Sequence, residues 1–256
     1  MSGPEQVAVA PWQERVPSAA SAAAAKLGPM TEDERRGDVR QWLVEVRAAV
    51  AWRSWVEQVP EWAADPRATD MQQPPGRDPQ WWLRNLTEQQ QPARIEAWLG
   101  DGDSPTLWLV GSVGVGKTRA AVAAGYAAAD AAATARAVRF TALSSYLAKL
   151  RPDGDPNPVA VRRWAAGSDL LILDDVGAEV DQEASEFARR ELLSLVNGRL
   201  DRAARQVLTT NLTPDQLTDA YGPRIVSRLR DRAAVIRIDG GDRRGTGETA
   251  ARLPWV

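Results

Sequence analysis

The sequence predicts an α/β fold, a parallel five-stranded sheet between helices, preceded by a small all-helical module. Two observations carry this. From residue 105 onward, short apolar runs at Thr106–Val110, Ala137–Thr141, Leu170–Leu173, Gln206–Thr210 and Val235–Ile238 alternate with helical patterns at Ala120–Ala135, Ser144–Leu150, Ser185–Leu200 and Pro214–Ala220. Near-continuous apolar strands separated by helices belong to a parallel sheet covered on both faces. Earlier in the chain the apolar spacing is helical instead.

The N-terminal part divides by composition. Residues 1–30 are rich in Ala, Pro and Ser with little bulky apolar content, which predicts a disordered tail. Thr31-Glu-Asp-Glu34 has capping-box spacing, and Val39, Trp42, Leu43, Val46, Val50 and Val56 approximate one helical face. Together they predict a helix over 31–59, ended by Pro60, within a module of residues 31–64. Asp65–Pro79 holds four prolines and little apolar mass, so residues 65–80 read as a linker. Trp81-Trp82-Leu83 restarts the order, and Thr87-Glu-Gln-Gln90 caps a helix carrying Ile95, Trp98 and Leu99. The main domain is expected over 81–245, with 246–256 as a C-terminal tail. Of eleven Trp, six lie between Trp42 and Trp82. They either fill the core of the helical module or leave an exposed docking face, since Trp is enriched in interface hot spots.

Composition narrows the chemistry. The formal charge is −2 and the pI about 5.5, so any nucleic-acid partner must meet a local patch or several subunits acting together. There is no Cys, which excludes disulfides, thiolate zinc sites and Cys nucleophiles, and no His, the usual general base. Carboxylates, Lys, Arg, hydroxyls, amides and a hard metal remain, a set that suits phosphoryl transfer. No apolar run approaches the roughly 18 residues of a membrane span, and Ser18–Ala25 lacks the pattern of a signal peptide. A cytoplasmic protein with no membrane partner is expected.

The strongest motif is Gly111-Ser112-Val113-Gly114-Val115-Gly116-Lys117-Thr118, followed by Arg119, between a strand pattern and a helix pattern. This is the P-loop spacing. Its glycines let successive backbone N–H groups curl toward ATP phosphates, and the following helix adds its positive N-terminus. Lys117 reaches the β- and γ-phosphates, and the Thr118 hydroxyl ligates Mg²⁺. Leu170-Leu-Ile-Leu-Asp174-Asp175 is the natural partner, a buried strand ending in two carboxylates. Strand ends of such sheets face the ligand crevice. Asp174 is expected to hold Mg²⁺ and Asp175 to orient or deprotonate the attacking water. Glu179 is a weaker candidate for the same work. Asn211 ends the next strand, where its amide can help hold the water and the γ-phosphate. Thr213-Pro-Asp-Gln216 caps the helix behind it. Arg224 and Arg228 share one helix face, and either one could serve a neighbouring subunit as an arginine finger. Arg230 follows them. Arg243, after the last strand, could return to the γ-phosphate of its own subunit.

With these residues in this order, the chain resembles the DnaC/IstB family of AAA+ ATPases, which includes replicative-helicase loaders and the ATPase helpers of some transposons. The resemblance covers roughly 85–245 and rests on the P-loop, Leu-Leu-Ile-Leu-Asp-Asp-Val-Gly, Thr-Thr-Asn-Leu and Arg-Ile-Val-Ser-Arg-Leu. It implies an AAA+ P-loop NTPase fold in which the Asn211 strand lies between the P-loop strand and the Asp174 strand. It also implies ring or spiral self-assembly, ATP at subunit interfaces, Arg228 as the finger, Arg243 as the in-cis sensor, and single-stranded DNA in the central channel. The helix near Ser144–Leu150 then corresponds to a DNA-facing insertion, with Tyr146, Lys149 and Arg151 as stacking and phosphate contacts. Most AAA+ proteins carry Glu where this chain has Asp175, so slow, assembly-dependent ATP hydrolysis is implied. Without Cys or His, the N-terminal module is not of the zinc-binding type.

The expectation is therefore a loader that grips a replicative DNA helicase through residues 31–62 and delivers it to single-stranded DNA. The alternative is a transposition helper that binds duplex DNA and recruits a transposase. A small-molecule kinase would leave the Thr-Thr-Asn strand end unexplained, and a nucleotide switch without turnover is the remaining rival.

Overall fold

The structure is a computed structural model and describes residues 32–69, 71, 74–131, 137–178 and 186–242. The predicted tails 1–30 and 246–256 lie outside the described residues, as do Glu179 and Arg243. The chain divides into two units, one ending at Leu43 and one beginning at Val44.

Four helices precede the sheet: α1 (Glu32–Val56), α2 (Pro66–Thr69), α3 (Pro79–Leu83) and α4 (Pro92–Gly100), with 3-10 turns at Glu61–Ala63 and Glu88–Gln90. The α/β part then runs β1 (Thr106–Val110), α5 (Lys117–Asp130), β2 (Val138–Ala142), α6 (Leu143–Leu150), α7 (Pro158–Ala166), β3 (Leu170–Asp174), α8 (Glu186–Leu200), β4 (Arg205–Thr210), α9 (Pro214–Tyr221), α10 (Pro223–Arg230) and β5 (Ala233–Arg237). The five strands form one sheet in the order β2-β3-β4-β1-β5, every pair parallel. Thus β4 lies between β1 and β3, with Leu109 opposite Thr209 and Leu173 opposite Leu208.

Alternation along the strands separates two apolar layers. Leu107, Leu109, Leu170, Ile172, Val207 and Ile236 pack with α5 and with Trp52, Trp55, Trp82, Ile95 and Trp98. On the other face Trp108, Leu171, Leu173 and Leu208 pack with Leu147, Leu192, Leu217 and Ile225. The Ala-rich α5 is slim enough to be covered a second time. At Gly125 a Cβ would overlap the Trp55 ring and lie 2.9 Å from Ile172 Cδ1, so the absent side chain is what seats Trp55.

Two sequence expectations change here. The described residues of the expected linker 65–80 are not free, because polar contacts tie Asp65, Gly76 and Arg77 to α5. Asp130, 4% exposed, accepts the Gly76 and Arg77 backbone N–H groups at 2.6 and 2.8 Å and the Trp82 indole N–H at 2.8 Å. Arg67 pairs with Asp65 and donates to the Trp81 carbonyl at 3.1 Å. Proline spacing marked the breaks between short elements but carried no trace of these distant partners. Likewise residues 44–64 are not a separate bundle, since Trp52 and Trp55 are 1% and 0% exposed within the main core. Trp62 is 70% exposed, so the tryptophans divide between the two readings.

Smaller differences are local. The Thr87 capping box is present, but it caps only the turn Glu88–Gln90; Gln91 is left-handed at φ 51° and Pro92 starts α4 afresh. Helix α7 is an addition to the predicted elements; Asn157 caps it by accepting the Ala160 N–H and Pro158 opens it. Among the described residues no helix is long and apolar enough to cross a membrane.

Candidate nucleotide site

Residues 111–116 leave the carboxyl end of β1 and turn into α5. Gly111 donates its N–H to Thr210 at 3.2 Å, and a Cβ there would overlap the Ile238 carbonyl just beyond β5. Gly114 and Gly116 have φ of 80° and 92°, the left-handed region in which glycine carries no penalty. Val115 is fully buried and anchors the loop, while Ser112 and Val113 are exposed. Lys117, 9% exposed, closes the loop on itself by donating to the Gly111 and Ser112 carbonyls at 2.9 and 2.7 Å. A cation is thereby stored at the mouth of an amide-lined turn. Arg119 faces elsewhere, lining a small cleft with Asn85 and Leu86.

The acidic partner is brought in by the strand order. Asp174 ends β3, and its two oxygens accept the Thr118 hydroxyl at 3.1 Å and the Thr209 hydroxyl at 2.6 Å. Burial, first of all, raises its pKa above the ordinary carboxylate range; the two hydroxyls and Lys117 pull it back, and neighbouring Asp175 adds to the rise. This carboxylate therefore carries an unmet demand for positive charge. The Thr209 hydroxyl also accepts the Asp175 N–H at 2.8 Å. Asp175 is exposed and left-handed at φ 58°, which turns its side chain out of the strand. Thr210 ties the Val176 carbonyl and the Leu212 N–H to the end of β4, and Asn211, exposed, stands between them.

The fold thus joins Gly111–Thr118, Asp174 and Asp175 into one cluster and puts Asn211 at the tip of the strand between them. Arg224, Arg228 and Arg230 are exposed on α10, whose buried side is Ile225, Val226 and Leu229. Lys149 and Arg151 are exposed. Tyr146 is corrected: it is 2% exposed in the core between α6 and the sheet, and burial pushes its phenol up to about 12. A ring packed on both faces offers no base a stacking platform. Leu143 and Leu150, three residues before it and four after, already mark that face as core.

Two residues escaped the sequence reading. The sequence points to Asn211 at this strand end, but Thr209, next in the β3–β4 register after Leu173 and Leu208, is the side chain that touches Asp174. The sequence assigns Gln90 to capping alone, yet its side chain also donates to the Gly116 carbonyl at 2.9 Å.

Thr118 and Asp174 present hydroxyl and carboxylate oxygens together, a hard-donor pair suited to Mg²⁺. Among the described residues no group of three or more His, Cys, Asp or Glu could hold a metal. A Mg²⁺ here would complete its shell with phosphate and water oxygens, as this metal prefers.

A family model described as "IstB-like ATP binding protein" matches residues 98–248. Curated relatives include the chromosomal replication initiator protein DnaA of Acinetobacter baylyi, 31% identical over 134 residues, and that of Acinetobacter baumannii, 30% identical over 134 residues. Both matches cover 51% of this chain, which spans only 27% of the relatives' length. Among solved structures, the DnaC helicase loader superposes with a TM-score of 0.53 at 20% identity, covering 61% of this chain and 96% of that one. DnaI gives 0.53 at 21%, with 63% and 89% covered. AMPPCP-bound DnaA from Aquifex aeolicus gives 0.53 at 22%, with 69% and 53% covered. At these identities the likeness establishes a shared fold.

Proposed function

Because this chain belongs to the family of IstB-like ATP-binding proteins, we propose that it is an ATP-hydrolysing loading factor that delivers a replicative helicase to single-stranded DNA. The observation that supports ATP turnover is the Thr118–Asp174–Thr209 hydrogen-bonded chain beneath the phosphate loop. In this reading the loop amides and Lys117 bind the phosphates, Lys117 exchanging its two carbonyl partners for phosphate oxygens. Thr118 and Asp174 hold Mg²⁺, which when bound neutralises developing charge on the phosphates. Asp175 and Asn211 orient the attacking water. Arg228 completes the site of a neighbouring copy in a ring or spiral, and Arg243 contacts the γ-phosphate of its own subunit. Exposed Val44, Val46, Val50 and Trp62 supply apolar surface for a protein partner.

The likeness to the DnaC loader, nearly complete over that chain, supports the loader. The match to an IstB-like family is equally compatible with a second reading, a transposition helper acting on duplex DNA. Fluorescence anisotropy with labelled oligonucleotides separates them. ATP-dependent binding that prefers single strands and weakens with salt is expected; equal or tighter duplex binding selects the helper. In the same assay format, Lys117→Ala should abolish binding of a fluorescent ATP analogue. Affinity within about threefold of wild type would remove the ATP site altogether.

A further inference from the structure

Gln90 reaches the phosphate loop from outside it. It closes the turn Glu88–Gln90, is 1% exposed, and uses both ends of its amide. Oε1 accepts the Thr87 backbone N–H at 3.0 Å and the Thr87 hydroxyl at 3.3 Å, and Nε2 donates to the Gly116 carbonyl at 2.9 Å. That carbonyl also accepts the Ala120 N–H at 3.1 Å, the first bond of α5. The peptide joining Gly116 to Lys117 is therefore held from its oxygen side by two donors. In a planar trans peptide the C=O and N–H point in opposite directions, so fixing the oxygen aims the Lys117 N–H. At the start of a P-loop helix, that N–H is one of those turned toward phosphate. Donors on an amide oxygen also polarise its N–H and strengthen what it donates.

The fit is close. Gly116 is left-handed at φ 92°, and a Cβ there would stand 2.7 Å from Gln90 Nε2. The adjacent Gln91 donates to the Arg237 carbonyl at the end of β5, so the same turn is fastened to a second strand bordering the site. We infer that Gln90 is a positioning residue for nucleotide binding, acting by orienting and polarising the Gly116–Lys117 peptide. The inference rests on residues 111–118 being an ATP site.

Gln90→Glu tests it on the full chain. The variant keeps side-chain length and the oxygen that serves Thr87, but sets an oxygen against the Gly116 carbonyl. Titration with fluorescent ATP and ADP analogues should show affinity lowered about tenfold for both, the effect of one lost hydrogen bond. KM for ATP should rise by the same factor with kcat changed less than about twofold. Thr87→Ala removes the hydroxyl that also donates to Oε1 but keeps the Thr87 N–H and the Nε2 donor, so it should lower affinity by less than about threefold. Binding by Gln90→Glu within about twofold of wild type would overturn the inference, as would an equal loss in Thr87→Ala. Should Gln90→Glu fail to fold, Gln90→Met removes the donor without adding charge, and the same tenfold loss is expected. If wild-type protein binds no nucleotide, the ATP-site reading itself falls first.

Discussion

Asp174 sits 7% exposed at the end of β3, accepting hydrogen bonds from Thr118 and Thr209 while burial holds its pKa up. A raised carboxyl pKa favours the neutral form in the folded chain. Its stabilising contribution is complete below the unfolded pKa and is lost as pH rises through the folded one, so at neutral pH the ionised group opposes folding. Asp174→Asn is expected to raise the melting temperature of the nucleotide-free protein at pH 7, because the amide carries no charge to desolvate. It should also erase any Mg²⁺-dependent gain in melting temperature with ATP. A lower melting temperature without nucleotide would show that the two hydroxyl donors outweigh desolvation. Arg228 belongs to the same scale, with its proposed role in the site of a neighbouring copy. Arg228→Ala should leave nucleotide binding intact and lower turnover by a factor of ~10³, the lower range for arginine fingers. Unchanged turnover under conditions of assembly would make Arg228 a surface residue and pass the role to Arg224.

Among the elements, α5 has two duties. Its N-terminus faces the phosphate loop, and its C-terminal half is wrapped by aromatic side chains from α1 and α3. Trp82 stacks on Tyr126 at 4.9 Å between ring centroids, and Trp55 meets the same ring edge-on at 5.5 Å. Arg139 on β2 adds a polar tie by donating to the Ser54 hydroxyl at 2.5 Å. Trp55→Ala should therefore cost about 3–5 kcal/mol, the range for large aromatic truncations in a core. Gly125→Ala should cost about 1–3 kcal/mol, because the methyl collides with Trp55. Chemical denaturation of each variant measures both. A Trp55→Ala loss below about 1 kcal/mol would mean that α1 is not part of the core.

For the whole molecule, the question is where the ATPase begins. Deleting residues 1–80 removes Trp52, Trp55 and Ala68, all at most 1% exposed, and should destroy cooperative unfolding. Deleting residues 1–43 spares the second unit. That truncation should bind ATP with affinity within about twofold of the full chain. Equilibrium unfolding and nucleotide titration of the two truncations provide the comparison. A folded, ATP-binding 81–256 fragment would reinstate the linker expected from the prolines.

Local chemistry made much of this legible in advance. The P-loop spacing, the Asp-Asp strand end and the Thr-Thr-Asn strand end are each contiguous, so their residue types and order reveal them without any partner. Strand and helix periodicity follows from burial on one or two faces, which is also a local signal. Contacts between residues distant in sequence were not legible. Gln90 lies 26 residues from the carbonyl it holds, Thr209 lies 35 from the carboxylate it shares, and the Trp82–Asp130 bond spans 48. Nothing in a run of Gln, Thr or Pro records which distant group will lie opposite it. Tyr146 shows the same limit from the other side. Its residue type suggested stacking, and only the packing of α6 on the sheet decided that its ring is core. The sequence alone determined that the chain builds a nucleotide cradle, because phosphate recognition is written in adjacent residues. Tertiary structure decided which outside side chains aim that cradle and where the domain starts, because those depend on closing long loops.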